Sequence, residues 1–143
     1  MKPVVLDASV AVKWYLPRAG ERLVEEALEL LDRHVKQQIR FIVPDFFWAE
    51  FGNVLWKALR VGRLPERSVR SAIDDARRLG ISATPTEAVL DHALSIAIAN
   101  GRTVYDSLYV ALAMDLNTEM ITADERLVNA LGARFPVRWL ASR

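Results

Sequence analysis

Short apolar runs rich in β-branched residues alternate with longer helical stretches along this chain of 143 residues. The runs occur at residues 3–6, 41–43, 81–84, 120–122 and 137–140. Strands that alternate with helices form βαβ units, and these units build a parallel sheet with helices on both of its faces. We therefore predict an α/β fold of three layers, in which a central parallel sheet lies between two layers of helices.

Apolar periodicity and helix-breaking residues predict where the helices lie between these strands. The expected helices cover residues 10–16, 21–36, 46–61, 87–99 and 104–116, with one between Pro65 and Gly80 and a short one from Asp124 to about Gly132. Thr86 is expected to be the N-cap of the helix at 87–99, because its hydroxyl can accept a hydrogen bond from a free backbone N–H.

The composition limits both the number of domains and the available chemistry. A length of 143 residues with 52% hydrophobic residues predicts one domain, residues 1–143, with a core of its own. The absence of cysteine excludes disulfides, cysteine–zinc sites, iron–sulfur clusters and thiol nucleophiles. No signal peptide and no apolar run near the roughly 20 residues of a membrane span are visible. We therefore expect a soluble, cytoplasmic protein without membrane contact.

Several familiar kinds of functional site are missing from the sequence. There is no GxSxG nucleophile elbow, no GxGxxG fingerprint and no P-loop. The two histidines, His34 and His92, lie in helical stretches without a partner at metal-ligand spacing, so we interpret both as structural. The net charge of +1 neither indicates nor excludes a nucleic-acid partner. Acidic side chains are what remain for catalysis.

Three aspartates lie at or near predicted helix starts, and two of them directly follow strands. Asp7 and Asp124 follow the strands at 3–6 and 120–122, whereas Asp106 lies in the first turn of its helix. Each of the three can be interpreted as a helix cap. If Asp7 and Asp124 lie on adjacent strand ends, however, their carboxylates converge, and a divalent cation such as Mg²⁺ or Mn²⁺ would neutralise them. Such a site suits phosphodiester hydrolysis. These arguments do not single out Glu50 or Asp106.

Four short motifs carry a resemblance to a known family. They read VLDAS at 5–9, PDFFWAEFGNVL at 44–55, TVYDSLYVALA at 103–113 and TADERL at 122–127. In this order they resemble the four motifs of PIN-domain nucleases, and the short chain resembles the VapC toxins of VapBC toxin–antitoxin pairs. The resemblance spans nearly the whole chain and implies a PIN-like α/β/α fold, in agreement with the pattern of strands and helices.

The resemblance also implies an acidic pocket and a metal-dependent endoribonuclease. Asp7, Glu50, Asp106 and Asp124 would form the pocket, with Asp7 and Asp106 as direct ligands of Mg²⁺ or Mn²⁺. Asp124 would complete the pocket, and Glu50 would bind through water or help to activate it. The expected products carry a 5′-phosphate and a 3′-hydroxyl. The implied partners are an RNA substrate, a VapB-like antitoxin and a second copy of the chain.

Residues around the pocket receive supporting roles. Ser9 and Thr122 would hold carboxylates or waters in place, although each hydroxyl can also be a local cap. A basic rim that follows the RNA backbone is predicted at Arg60, Arg63 and Arg67, with Lys57 and Arg70; the alternative is an ordinary solvated face. The aromatic residues of the second motif are divided between core packing and a partner surface; they are Phe46, Phe47, Trp48 and Phe51.

Three other functions remain open at this stage. A phosphotransfer enzyme would use Asp7 as a nucleophile, but a haloacid-dehalogenase-type phosphatase needs a second aspartate where this chain has Ser9. An inactive PIN scaffold would usually have lost acidic residues that are all present here. A PIN nuclease of RNA processing or DNA repair would have the same pocket as a toxin, so the sequence separates these two poorly.

Overall fold

A computed structural model of the chain describes residues 1–142, and its sheet contains five strands that all run parallel. The predicted α/β class with a central parallel sheet is therefore confirmed. The strands are β1 (Lys2–Leu6), β2 (Ile39–Pro44), β3 (Ser82–Thr84), β4 (Met120–Thr122) and β5 (Val137–Trp139). The helices are α1 (Ala8–Ala11), α2 (Val24–Val35), α3 (Phe46–Arg60), α4 (Glu66–Arg77), α5 (Thr86–Asn100), α6 (Val104–Asp115) and α7 (Glu125–Leu131). The last residue of the predicted domain, Arg143, lies outside the described residues.

The strand order is β3-β2-β1-β4-β5, with β1 at the centre of the sheet. The chain first builds outward from β1 to β3 and then crosses back to add β4 and β5 on the other side. Val5 lies beside both Ile42 of β2 and Met120 of β4. In open parallel sheets, the point where the direction of building reverses leaves a crevice beyond the carboxyl ends of the strands. That crevice lies between β1 and β4, directly where Asp7 and Asp124 follow their strands.

The sheet and α6 form the centre of the core. Val5, Leu6 and Phe41 have no solvent exposure, and every residue from 107 to 113 of α6 is buried. Strands covered on both faces need apolar side chains at successive positions, which explains the unbroken apolar run of β1. Helix α6 thereby packs against β1 and β2, and Asp106 lies in its first turn.

Some predicted helix boundaries are wrong, for local backbone reasons. The helix expected from residue 21 begins only at Val24, because Leu23 has a left-handed backbone with φ of 60°. Helix α1 begins at Ala8, earlier than expected, and passes into a 3-10 turn at Val12–Trp14. Thr86 is the first residue of α5 instead of its N-cap, which is Pro85. The Thr86 hydroxyl donates to Asp45 Oδ1 at 2.5 Å, so Thr86 ties α5 to the start of α3.

Both histidines make structural contacts, as predicted. The buried His34 ring stacks on Phe41 at 4.4 Å between centroids. His34 Nδ1 accepts a hydrogen bond from Phe41 N at 3.2 Å, and Nε2 donates to the Leu79 carbonyl oxygen at 2.6 Å. A neutral ring with its proton on Nε2 makes both bonds. His92 pairs with Asp115 at 2.8 Å on the partly exposed side of α5. Over residues 1–142, no helix is long and apolar enough to cross a membrane.

Replacing His34 tests its bridging role. His34→Phe preserves an aromatic ring for the stack but leaves Phe41 N–H and the Leu79 carbonyl without their partner. We expect the free energy of unfolding to fall by about 1–3 kcal/mol, the typical cost of buried unsatisfied groups. His92→Phe is the matched control and should change stability by no more than about 0.5 kcal/mol. Urea denaturation measures both, and equal losses in the two variants would contradict the assignment.

Candidate active site

Asp7 lies at the end of β1, in the crevice, and its carboxylate does not cap α1. Although Asp7 is the N-cap residue by position, its side chain makes no capping hydrogen bond. Oδ2 instead accepts hydrogen bonds from Ser9 Oγ and Thr122 Oγ1, each at 2.7 Å. The helix-cap interpretation of Asp7 is therefore wrong, and two hydroxyls fix one oxygen of a buried carboxylate.

The two hydroxyls also tie the loop after β4 to the end of β1. Ser9 Oγ accepts from Ala123 N, and Thr122 Oγ1 accepts from Asp124 N, both at 3.0 Å. Thr122 is itself fully buried. Each hydroxyl thus donates to Asp7 and accepts from the backbone beside Asp124, so both of its roles are satisfied. The structure places Ser9 and Thr122 where a supporting role for the Asp7 carboxylate was predicted.

Asp124 caps α7, and here the helix-cap interpretation is correct. Asp124 Oδ1 accepts from Arg126 N at 3.1 Å and from Leu127 N at 3.3 Å. These bonds use one carboxylate oxygen and leave Oδ2 outside the cap. The charge of Asp124 nevertheless lies near enough to Asp7 to raise the pKa of that carboxyl. Capping and membership of the acidic crevice are therefore compatible for this residue.

Asp106 lies in the first turn of α6, whose N-cap is Thr103. Thr103 Oγ1 accepts from Asp106 N at 3.1 Å, so the cap is made by the threonine and not by the aspartate. The Asp106 carboxylate instead accepts from Arg102 Nη2 at 3.2 Å. The sequence analysis missed Arg102, although its spacing of four residues before an aspartate is typical of an ion pair. Among residues 1–142, Arg102 Nε is the one buried side-chain nitrogen or oxygen atom without a hydrogen-bond partner.

Glu50 lies one turn into α3 and accepts a hydrogen bond from Tyr109 of α6. The Tyr109 hydroxyl donates to Glu50 Oε1 at 2.5 Å, and the tyrosine is only 1% exposed. The pKa of Glu50 is raised to about 7, mainly by burial and also by the charges of Asp7 and Asp106, while the Tyr109 hydrogen bond opposes the rise. The sequence analysis also missed Tyr109. A polar aromatic residue in the centre of an otherwise apolar helix was the available signal.

The four acidic residues are close enough to influence one another electrostatically. The pKa of Asp7 is raised mainly by burial, and the charges of Asp106 and Asp124 raise it too, while hydrogen bonds from Ser9 and Thr122 oppose the rise. Glu50 feels the charges of Asp7 and Asp106. Like charges held together in a partly buried site destabilise their own ionised forms. A cation in the crevice would relieve this repulsion.

The donor chemistry of the crevice fits a hard divalent cation. Carboxylate and hydroxyl oxygens are the ligands that Mg²⁺ and Mn²⁺ prefer, and Mg²⁺ usually keeps several waters. In the part of the chain that the structure describes, no three acidic or histidine side chains are already close enough to hold one ion. The residues therefore fit such an ion by chemistry, in an open arrangement that side-chain movement and water would complete.

The predicted basic rim lies along the C-terminal half of α3 and the start of α4. Arg60 lies over the Trp56 ring at 5.5 Å, and Arg63 pairs with Glu21 at 3.6 Å. Arg67 is exposed. Arg60 follows Glu50 by ten residues, which is about 15 Å along a helix axis. Arg60 is thus separated from Glu50 by most of the length of α3.

The aromatic residues of the second motif divide between the core and the surface layer. Phe47 and Phe51 have no solvent exposure and stack at 5.6 Å, so core packing accounts for them. Phe46 and Trp48 are partly buried. Phe46 stacks on Tyr105 of α6 at 4.8 Å between ring centroids. The partner-surface interpretation is therefore wrong for Phe47 and Phe51.

The raised pKa of Glu50 predicts a pH-dependent stability. Its pKa rises from 4.5 to about 7 on folding, so its contribution to stability is full below pH 4.5 and is lost as pH rises through about 7. Glu50→Gln, which imitates the protonated form, should match the metal-free parent near pH 4.5 and be more stable at pH 8. Thermal unfolding in EDTA across this range measures the difference. A constant difference at all pH values would contradict the assignment.

Comparisons with known proteins agree with this fold. The family model described as "PIN domain" matches residues 4–131. "Ribonuclease VapC3" of Pyrobaculum aerophilum is 30% identical over 132 residues, covering 91% of this chain and 95% of the relative. The crystal structure of PAE2754 from the same organism has a TM-score of 0.70 at 20% identity, covering 97% of this chain and 90% of that one. The structure of VapBC2 from Rickettsia felis bound to a DNA fragment from their promoter has a TM-score of 0.62 at 12% identity, covering 96% of this chain and 98% of that one.

The family match spans most of the chain, including all four acidic positions. The chain therefore belongs to the PIN-domain family, as a relative of the VapC ribonucleases.

Proposed function

We propose that this protein is a divalent-metal-dependent endoribonuclease and the toxin component of a type II toxin–antitoxin pair. The observation that carries the proposal is the acidic crevice between β1 and β4, where Asp7, Glu50, Asp106 and Asp124 come from four separate segments. Neighbouring carboxylate charges raise the pKa values of Asp7 and Glu50, which is typical of a site that binds cations. The similarity to a VapC ribonuclease supports RNA as the substrate.

The four acidic residues divide between two roles in the proposed reaction. Asp7, Asp106 and Asp124 would hold Mg²⁺ or Mn²⁺, which when bound supplies positive charge for the scissile phosphate and favours ionised water. Glu50 accepts the proton of the attacking water, a role suited to a carboxyl whose pKa lies near the working pH. Tyr109 fixes the orientation of Glu50 by its hydrogen bond. The water oxygen bonds to phosphorus as the P–O3′ bond breaks, and the leaving 3′-oxygen takes up a proton from solvent, which leaves a 5′-phosphate and a 3′-hydroxyl.

The hydroxyl pair and Arg102 prepare the site for this chemistry. Ser9 and Thr122 hold Asp7 Oδ2 and so limit the rotation of that carboxylate. Arg102 supplies positive charge to Asp106 and lies at the edge of the crevice. Groups held in place before the substrate arrives lower the cost of reorganisation during the reaction.

A VapB-like antitoxin and a second copy of the chain are the proposed protein partners, and the cytoplasm is the proposed location. Solved VapBC complexes with the same fold support the first partner. Apolar residues exposed at spacings of four on α5 support a protein contact there; they are Leu90, Leu94 and Ile98. Exposed apolar stripes of this kind are typical of interaction surfaces.

Removing single carboxylates tests the proposed nuclease. Asp7→Asn and Asp106→Asn should each reduce cleavage of labelled RNA in Mn²⁺ at least about 100-fold, because each loses a ligand charge. Mn²⁺ binding, measured by calorimetry, should weaken in both. Asp91→Asn, on the exposed side of α5, is the matched control and should retain the parent rate. Full activity of both crevice variants, or undiminished activity of the parent in EDTA, would contradict the proposal.

The salt dependence of RNA binding tests the basic rim at Arg60, Arg63 and Arg67. Each phosphate contact to single-stranded nucleic acid contributes about 0.7 to the slope of log K against log salt. The Arg63→Ala/Arg67→Ala variant should therefore have a slope smaller by up to about 1.4. The matched control is Arg77→Ala/Arg78→Ala at the other end of α4. Equal slopes for the two double variants would indicate that Arg63 and Arg67 belong to an ordinary solvated face and do not contact RNA.

A further inference from the structure

Two stacked aromatic rings lie at the edge of the acidic crevice without a role in the proposed chemistry. The rings of Phe46 and Tyr105 are 4.8 Å apart between centroids and within 9° of parallel. Phe46 opens α3, and Tyr105 directly precedes Asp106 in α6. Tyr105 is 58% exposed even though one of its ring faces packs on Phe46. The other ring face of Tyr105 is therefore available to a ligand.

The stacked pair lies one helical turn before the pair that holds the proposed general base. Phe46 and Glu50 are four residues apart on α3, and Tyr105 and Tyr109 are four residues apart on α6. Phe46 contacts Tyr105, and Glu50 contacts Tyr109, so the two helices match turn for turn. One turn of helix is about 5.4 Å long. A nucleotide next to the scissile phosphate would extend this far from Glu50 and would therefore reach the stacked rings.

The backbone beneath both rings is fixed. Phe46 N donates to Thr86 Oγ1 at 3.3 Å, and Thr86 N donates to Asp45 Oδ1 at 3.0 Å, which ties the start of α3 to the start of α5. Thr103 caps α6 two residues before Tyr105. The rings thus stand on anchored helix starts, and binding on them requires little ordering of the chain.

We propose that Tyr105, supported from behind by Phe46, stacks a nucleobase of single-stranded RNA beside the scissile phosphate. The inference rests on the proposed ribonuclease function and adds a base-binding subsite to it. Flat aromatic faces next to a phosphate site bind unpaired bases by stacking, with little sequence preference. The continuity with the crevice favours RNA over a protein partner, for which α5 carries a separate apolar stripe.

The test uses the whole purified chain and a labelled 12-nucleotide RNA that contains a mapped cleavage site. Tyr105→Ala should raise KM about 5- to 150-fold, the range expected for loss of one stacked base, with a smaller effect on kcat. Tyr105→Phe retains the ring and should stay within about twofold of the parent. Binding of the same RNA to these variants in an Asp7→Asn background, followed by fluorescence anisotropy, should weaken in parallel with KM.

A control variant and an abasic substrate identify stacking as the cause. Val35→Ala trims another exposed apolar side chain, which is 62% exposed at the end of α2, and should leave KM unchanged. RNA with one abasic nucleotide beside the cleavage site should bind the parent more weakly than intact RNA does. It should bind Tyr105→Ala as tightly as intact RNA does. Unchanged melting temperatures of the Tyr105 variants and of the control variant establish that they are folded, as expected for substitutions at exposed positions.

The outcomes separate the subsite from the nuclease proposal. A parent chain that cleaves RNA, together with an unchanged KM in Tyr105→Ala, overturns the subsite alone. A parent chain that neither binds nor cleaves RNA overturns both proposals. A change of molecular mass by light scattering in Tyr105→Ala, with an unchanged KM, shows that the ring contacts protein and overturns the subsite. If Tyr105→Ala lowers the affinity for intact RNA and for abasic RNA by the same factor, the subsite is also overturned.

Discussion

Repulsion among carboxylates at the carboxyl edge of the sheet is the constraint on which the rest of the site depends. Parallel strands bring Asp7 and Asp124 to one edge, and helices α3 and α6 add Glu50 and Asp106. Burial raises the pKa of Asp7 and Glu50 because water no longer stabilises the ionised forms. The hydroxyl groups of Ser9, Thr122 and Tyr109 offset part of this cost. The remaining repulsion would be relieved by a cation in the crevice.

The sequence was sufficient for the fold and for the placement of two acidic residues. Strands that alternate with helices dictate a parallel sheet, and aspartates that follow strands must lie at its carboxyl edge. Asp7 and Asp124 follow from this reasoning alone. Glu50 and Asp106 do not, because a helix residue can face several directions and only the packing of α3 against α6 decides which. For those two positions the family resemblance supplied what local pattern could not.

The contacts that the sequence analysis missed are those between distant segments. Tyr109 reads as one apolar residue in a buried helix, and only the approach of α3 makes its hydroxyl the partner of Glu50. Thr86 reads as an N-cap, yet the carboxylate of Asp45 competes for its hydroxyl from 41 residues away. Leu23 interrupts a helix that its neighbours favour, because its backbone is left-handed there. Local propensity is a weak guide to structure wherever tertiary contacts override it.

The hydrogen bond from Thr122 to Asp7 joins positions 115 residues apart, which has a consequence for synthesis of the protein. Chains emerge from the ribosome N-terminus first, and segments fold as they become available. A nascent chain that has completed β3 already contains Asp7 and Glu50 but lacks the β4 hydroxyl that fixes the Asp7 carboxylate. The crevice is therefore assembled only near the end of translation. A product that ends before β4 lacks both Thr122 and Asp124, and it therefore cannot complete the crevice.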